Sequence, residues 1–258
     1  MKKLISILIG LALVISVNAQ FQNSGGMFLR TGSSFTTAQV SGSSSSTEPP
    51  SFLSSDGYTF SWLVADADNL TLNGTQITAV TDIGPNSNDW TGSGSTGPQW
   101  DSTNVEIDFT NAVSAGLSVN YTPGAVPVTV YIVVNIRTHS DGREVIMFGV
   151  PSPRISQGGD LNSLALYAGN WNLFITNDDG TYGLITAVLN GASSYFQWND
   201  DTAQTGNAGT GAPSMISLGY DTGNATMSVK EVIVRSTAET ALNRASVQEY
   251  LNDKYSIY

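Results

Sequence analysis

The 258-residue sequence contains no cysteine. That excludes a disulfide scaffold, a thiolate zinc site, an iron–sulfur cluster, a cysteine nucleophile and a lipid anchor on an N-terminal Cys. It contains one histidine, His139, so no site can be built from several imidazoles. Charge is sparse and one-sided: 10 Lys and Arg stand against 21 Asp and Glu, a formal net charge of -11. Neutralising a nucleic-acid backbone needs clustered basic residues, so no nucleic-acid partner is expected. Long apolar runs are also missing, with one exception at the N-terminus.

That exception is Leu4 to Val17, preceded by Lys2 and Lys3 and followed by Val17-Asn18-Ala19. A basic start, a short apolar stretch and a small-x-small site make residues 1–19 an expected signal peptide, with Gln20 as the first mature residue. The run falls short of the ~20 residues needed to cross a bilayer, so no membrane span is expected in the mature chain. Residues 20–57 read as an arm or linker. They hold Ser43-Ser44-Ser45-Ser46 and the break Glu48-Pro49-Pro50, with too few apolar residues to offset the entropy of ordering. Within it, Met27-Phe28-Leu29 could add a strand to a sheet edge or dock on another chain.

What the sequence has in abundance is Gly, Ser and Thr around short β-branched and aromatic runs, which is the composition of an all-β chain. Val105 to Phe109 alternates, with Glu106 and Asp108 on one face and Val105, Ile107 and Phe109 on the other. Val128 to Ile136 is nearly all apolar and is expected to be a central strand buried on both faces. Glu144 to Val150 follows a turn at Ser140-Asp141-Gly142, so the two runs are expected to form a hairpin. Further strands are expected at Ser163–Tyr167, Trp171–Thr176, Gly183–Leu189, Ser194–Trp198, Met215–Gly219 and Ala225–Arg235. Thr240 to Tyr255 changes period: Leu242, Val247, Tyr250 and Leu251 are expected to form the apolar stripe of one amphipathic helix, capped by Thr237 or Thr240. The expected fold is all-β, a two-sheet antiparallel sandwich over residues 58–258 closed by one C-terminal helix.

Three stretches carry a resemblance. Trp62-Leu63-Val64-Ala65-Asp66 with Thr81-Asp82-Ile83-Gly84-Pro85-Asn86-Ser87-Asn88-Asp89 resembles the opening strand and Asn/Asp-rich loop of concanavalin A-like (laminin-G-like) jelly-roll domains. Val188-Leu189-Asn190-Gly191-Ala192-Ser193-Ser194 resembles a hairpin of that family. The last stretch, Met227 to Tyr258, is similar to its closing strand-plus-helix signature, with Glu231-Val232-Ile233-Val234 and Tyr250-Leu251-x-x-Lys254-Tyr255. The resemblance implies a jelly-roll sandwich of the kind found in secreted bacterial proteins and phage structural proteins. The family includes carbohydrate-binding modules, adhesion domains, enzyme accessory domains and virion decoration proteins, so fold transfers better than function.

Catalytic candidates thin out on inspection. Laminarinase-type glucanases of this overall fold carry an E-x-D-x-x-E strand, and Glu106-x-Asp108 fits its first part. The third acid is replaced by Asn111, and a retaining glycosidase needs its full carboxylate set. Glu106 and Asp108 are therefore expected to be ordinary polar residues of a solvent-facing strand. His139-Ser140-Asp141 is a turn, because triad members converge from separate elements. Asn-x-Thr sequons at Asn69 and Asn224 carry little meaning in a chain expected to be bacterial.

Two binding chemistries remain. Asp178 and Asp179, and Asp200 and Asp201, sit on short loops whose oxygens suit calcium, though Asn-Asp-Gly runs also serve plain turns. Asp66 with Asp68 and Asn69, and Asp82 with Asn86, Asn88 and Asp89, form similar clusters. No cofactor is required, and calcium is the one ion these loops would suit. Trp62 is expected in the core, whereas Trp90, Trp100, Trp171 and Trp198 lie beside polar loops, where indole faces stack on sugars. The expected function is a secreted or surface-displayed, non-catalytic binding or adhesion module whose partner is a glycan or a surface protein. The alternative is a structural or decoration protein of a virion or other assembly, its arm docked on a neighbouring subunit. A glycoside-active enzyme of the same fold is the third reading.

Overall fold

The structure is a computed structural model. It describes residues 28–31, 34–37, 47–93, 97–110, 116–138, 143–149, 153–158, 162–219 and 226–258. The expected signal peptide, Ser43–Ser46, Asn111 and the turn at His139 lie outside them. The chain divides into two units, Met1–Ser44 and Ser45–Tyr258. In the first, β1 (Phe28–Thr31) pairs antiparallel with β2 (Ser34–Thr37) in a ladder of its own.

The second unit is almost all β and antiparallel throughout. One run of neighbouring strands contains β3 (Thr59–Val64), β10 (Val128–Thr138), β15 (Tyr182–Leu189), β16 (Ser194–Trp198), β17 (Gln204–Gly206) and β19 (Thr226–Arg235), in spatial order β3-β19-β10-β15-β16-β17. The other contains β4 (Leu70–Asn73), β5 (Gln76–Val80), β6 (Trp90–Gly92), β9 (Leu117–Asn120), β11 (Glu144–Met147), β12 (Arg154–Gln157), β13 (Ser163–Tyr167), β14 (Trp171–Thr176) and β18 (Met215–Leu218). Its order is β4-β5-β6-β9-β18-β11-β12-β13-β14. The two runs are not separate sheets as expected. β19 pairs β3 along its second half, and its first half continues past β3 to pair β8 (Glu106–Asp108). β8 pairs β7 (Gln99–Asp101), which pairs β5, so hydrogen bonds link all seventeen strands into one sheet.

β10 is the centre that its sequence announced. Val130, Ile132, Val134 and Ile136 enter the main core, while Tyr131 and Val133 face the opposite side, and none of the six is exposed. The expected hairpin with the following run does not form. Both edges of β10 are occupied, by β15 and β19, and β11 instead pairs β12 and β18.

The outer side of β3-β19-β10-β15 is covered by α2 (Ala241–Tyr255). Thr240 caps it, its hydroxyl accepting from the Asn243 N–H at 3.2 Å. Val247, Tyr250 and Leu251 are buried against Trp62, Tyr131, Val133, Leu184 and Ile233. Leu242, expected on the same stripe, is 79% exposed. It lies five residues before Val247, and five residues turn a helix by about 140°. Among the described residues no helix is long and apolar enough to cross a membrane.

Polar groups lock this layer. Glu231, on β19, has no exposure. It accepts from Trp62 Nε1 at 2.6 Å, Tyr250 Oη at 3.2 Å, Lys254 Nζ at 2.7 Å and Tyr255 Oη at 2.7 Å. Arg235, also without exposure, pairs with Glu239 and Asp56 and donates to Thr59 Oγ1 at 2.7 Å. With Leu53 of the short α1 (Phe52–Ser55) buried, this places the start of the packed unit ahead of residue 58.

The Asn/Asp-rich opening loop is a second lock. Asp82 Oδ1 accepts from the N–H groups of Trp62 at 2.6 Å and Gly84 at 2.8 Å, and Oδ2 accepts from Asn88 N–H at 2.7 Å. Asn86 and Asn88 each donate 2.6 Å bonds back to β3, to the carbonyls of Thr59 and Phe60. The loop thus satisfies a strand edge that would otherwise be open.

Candidate functional site

The four tryptophans expected to stack on a ligand separate. Trp90 has no exposure, and its Nε1 donates to Ser61 Oγ at 2.8 Å. Trp198 is 1% exposed and packs over Gly183, where an added Cβ would lie 2.0 Å from the indole. Both are core residues with no ring face open to a sugar, because period-two alternation turns them inward beside their polar loops. Trp100 is half-buried against the main core. Trp171 opens β14 opposite Tyr167, and its side chain lies outside the described set.

The loop acids also serve their own turns. Asn177 Nδ2 donates to Asp179 Oδ1 at 2.8 Å, and Asp178 points to solvent. Asp200 and Asp201 are exposed, and the Asp201 N–H closes a turn on the Trp198 carbonyl at 3.0 Å. Among the described residues no three Asp, Glu or His side chains converge as a metal site would require.

Glu106 and Asp108 do share a face, but Glu106 is not solvent-facing. It is 2% exposed. Arg137 forms ion pairs with both carboxylates, reaching Asp108 Oδ2 at 3.3 Å and donating to Thr110 Oγ1 at 3.0 Å. The second Glu106 oxygen accepts from the Tyr182 hydroxyl. Burial, and then this bond to Glu106, push the Tyr182 hydroxyl up, so it stays protonated as a donor. The strand pattern shows the two acids and gives no sign of Arg137 or Tyr182, which come from β10 and β15.

A concavity lies elsewhere, at the β13–β14 turn. The β13–β14 turn, Ala168-Gly169-Asn170, faces the loop Asn207 to Gly211 across a depression of about 460 Å³. The walls are tied together: Ala168 and Asn170 N–H donate to the Ala208 carbonyl at 2.6 and 3.0 Å, and Gly211 N–H donates to the Ala168 carbonyl at 2.8 Å. Asn207 Oδ1 accepts from Gly209 N–H at 2.9 Å. Gly209 has φ 105°, and a Cβ there would lie 2.0 Å from the Ala168 oxygen, so only glycine closes this wall. Next to the turn, Arg154 stacks over the Tyr167 ring with 5.4 Å between Cζ and the centroid, and Phe174 on the neighbouring strand is 48% exposed. The depression therefore offers carboxamides, a hydroxyl and backbone groups, and neither an acid nor an aromatic side chain lines it. Trp171 directly follows Asn170 in the chain, and the Gly and Asn residues of this depression were not among the candidates read from the sequence.

No family model and no curated protein matches the chain. Solved structures do, at low identity. Trypanosoma rangeli sialidase has a TM-score of 0.55 at 9% identity over 76% of this chain, which spans 33% of the sialidase chain. Domain 4 of AbnA, a GH43 extracellular arabinanase from Geobacillus stearothermophilus, solved with arabinotriose, has a TM-score of 0.56 at 14% identity. That likeness covers 75% of this chain and 98% of the domain. The binding domain of botulinum neurotoxin serotype D has a TM-score of 0.52 at 12% identity, over 74% of this chain and 50% of that one. Identities this low show a shared fold alone.

Proposed function

We propose that the second unit is a non-catalytic, glycan-binding module with a concanavalin A-like jelly-roll fold, secreted or displayed at a surface. The observation that carries this reading is the depression between the Ala168–Asn170 turn and the Asn207–Gly211 loop. Its carboxamides and backbone groups suit sugar hydroxyls, and it contains no acid for bond cleavage. The clamping of Glu106 and Asp108 by Arg137 supports the absence of catalysis, since a nucleophile and an acid/base must both be free to act. The solved arabinanase domain, matched over nearly its whole length and holding arabinotriose, supports a self-standing carbohydrate-binding module. No cofactor takes part in this reading.

The test is titration calorimetry of the full chain against a panel beginning with arabinotriose. Asn170→Ala should weaken binding about tenfold, the scale of one or two lost hydrogen bonds. Glu106→Gln should leave binding unchanged, and no sugar should be cleaved. Hydrolysis lost in Glu106→Gln would sink the reading.

The assembly role keeps one supporting observation. β1 and β2 form a two-stranded ladder, and an isolated two-stranded hairpin is marginal in water. Such an arm would gain by pairing with a neighbouring subunit.

A further inference from the structure

A second concavity lies where β16 begins, bounded by Ser193, Tyr195, Thr205 and Gly206 and by Arg244 from the first turns of α2, with a volume of about 410 Å³. Arg137, Arg154, Arg235 and Lys254 each pair with a carboxylate, whereas Arg244, like Lys230, has no acidic side chain within ion-pair reach among the described residues; of these two, Arg244 is the one that lines a concavity. It is nevertheless held in place. Its guanidinium lies 4.1 Å from the Tyr195 ring centroid, and Nη1 donates to the Glu239 carbonyl at 2.6 Å. Tyr195 is fixed in turn, because its hydroxyl donates to Gln197 Oε1, which also accepts from Gln248 Nε2 at 2.7 Å. The Arg244 Nε–H is buried and meets no acceptor. Below it, the Tyr131 hydroxyl, with no exposure and within the field of Arg244 and Glu239, also has no partner.

A planar cation held by an aromatic face, with donors left over and its charge uncompensated, is a receptor for an oxyanion. The hydroxyls of Ser193 and Thr205 on the opposite rim suit the hydroxyls of a sugar ring. We infer that the Arg244–Tyr195 concavity binds a sugar-borne anion, the carboxylate or sulfate of an acidic glycan. This deepens the glycan-binding reading and rests on it. Thr205 and Gly206 of this wall run directly into Asn207 of the first depression, so one extended chain of sugars could follow β17 from one site to the other.

The experiment is calorimetry of the full chain with three probes: tri-galacturonate, its carboxyl-reduced neutral counterpart, and sodium sulfate. The acidic trisaccharide should bind at least tenfold more tightly than the neutral one. Arg244→Gln should remove that difference and leave neutral-sugar binding as it was. Should Arg244→Gln fail to fold, Ser193→Glu, at an exposed rim position, should remove the same difference by repulsion. Equal affinity for the two sugars, or a preference that survives both substitutions, would overturn the anion site while leaving the glycan-binding reading standing. Sulfate competing as well as the acidic sugar would show a free-anion site and overturn the sugar-borne claim. No binding of either sugar would overturn both.

Discussion

A carboxylate with no exposure, Glu231, is held by four donors: an indole N–H, two phenols and an ammonium. Removing one partner of a buried pair leaves the rest uncompensated, which typically costs about 3–5 kcal/mol. Glu231→Ala should therefore lower the unfolding free energy by about that much, measured by denaturant melting. A loss below 1 kcal/mol, on the order of an exposed pair, would show that the cluster is incidental. The four donors tie Glu231 to Tyr250, Lys254 and Tyr255 of the closing stretch and to Trp62, a link invisible in the sequence because Trp62 enters from β3. Asp56 gives a pH signature. Burial pushes its carboxyl up, but hydrogen bonds from Arg235 and the Tyr58 N–H outweigh this and hold it below the usual value of 3.8. A depressed folded value means stability is present above the unfolded pKa and lost as pH falls through the folded one. Melting temperature should drop as pH falls below about 4, and Asp56→Asn should make that limb shallower. An unchanged slope would mean that the Asp56–Arg235 pair contributes nothing.

At the scale of elements, apolar content announced β10, and its burial on both faces follows from α2 covering one side. The hairpin expected from β10 into β11 failed for a physical reason: an apolar strand with two free edges recruits distant partners, and β15 and β19 outcompete the adjacent run. Helix α2 was legible in its extent and in its Thr240 cap, less so in its face. Leu251 and Leu242 separate the two readings. Leu251→Ala should cost about 2–5 kcal/mol, as for a core truncation. Leu242→Ala, at an exposed site, should change stability by less than about 0.5 kcal/mol. Equal losses would mean that the helix sits rotated from its observed seat. A chain ending at Ala238 should be weaker still, because it uncovers Trp62, Tyr131, Val133, Leu184 and Ile233 together.

For the whole molecule, the sequence conveyed an all-β unit closed by a helix and withheld the connection of its strands into one sheet. That connection depends on β19 being ten residues long, enough to pair β3 and then β8 on the same edge. Of the tryptophans read as ligand-stacking candidates, Trp90 and Trp198 alternate into the core. The acids that looked catalytic are tied to Arg137 and Tyr182, and the open surface carries amides and hydroxyls. A nuclear magnetic resonance titration of the backbone amides with arabinotriose, or with whichever panel sugar binds, tests this division of labour. The expected result is a set of shifts concentrated at Ala168–Asn170 and Asn207–Gly211, with the sugar recovered intact. Shifts centred on Glu106, Asp108 and Arg137, or appearance of cleaved sugar, would contradict it.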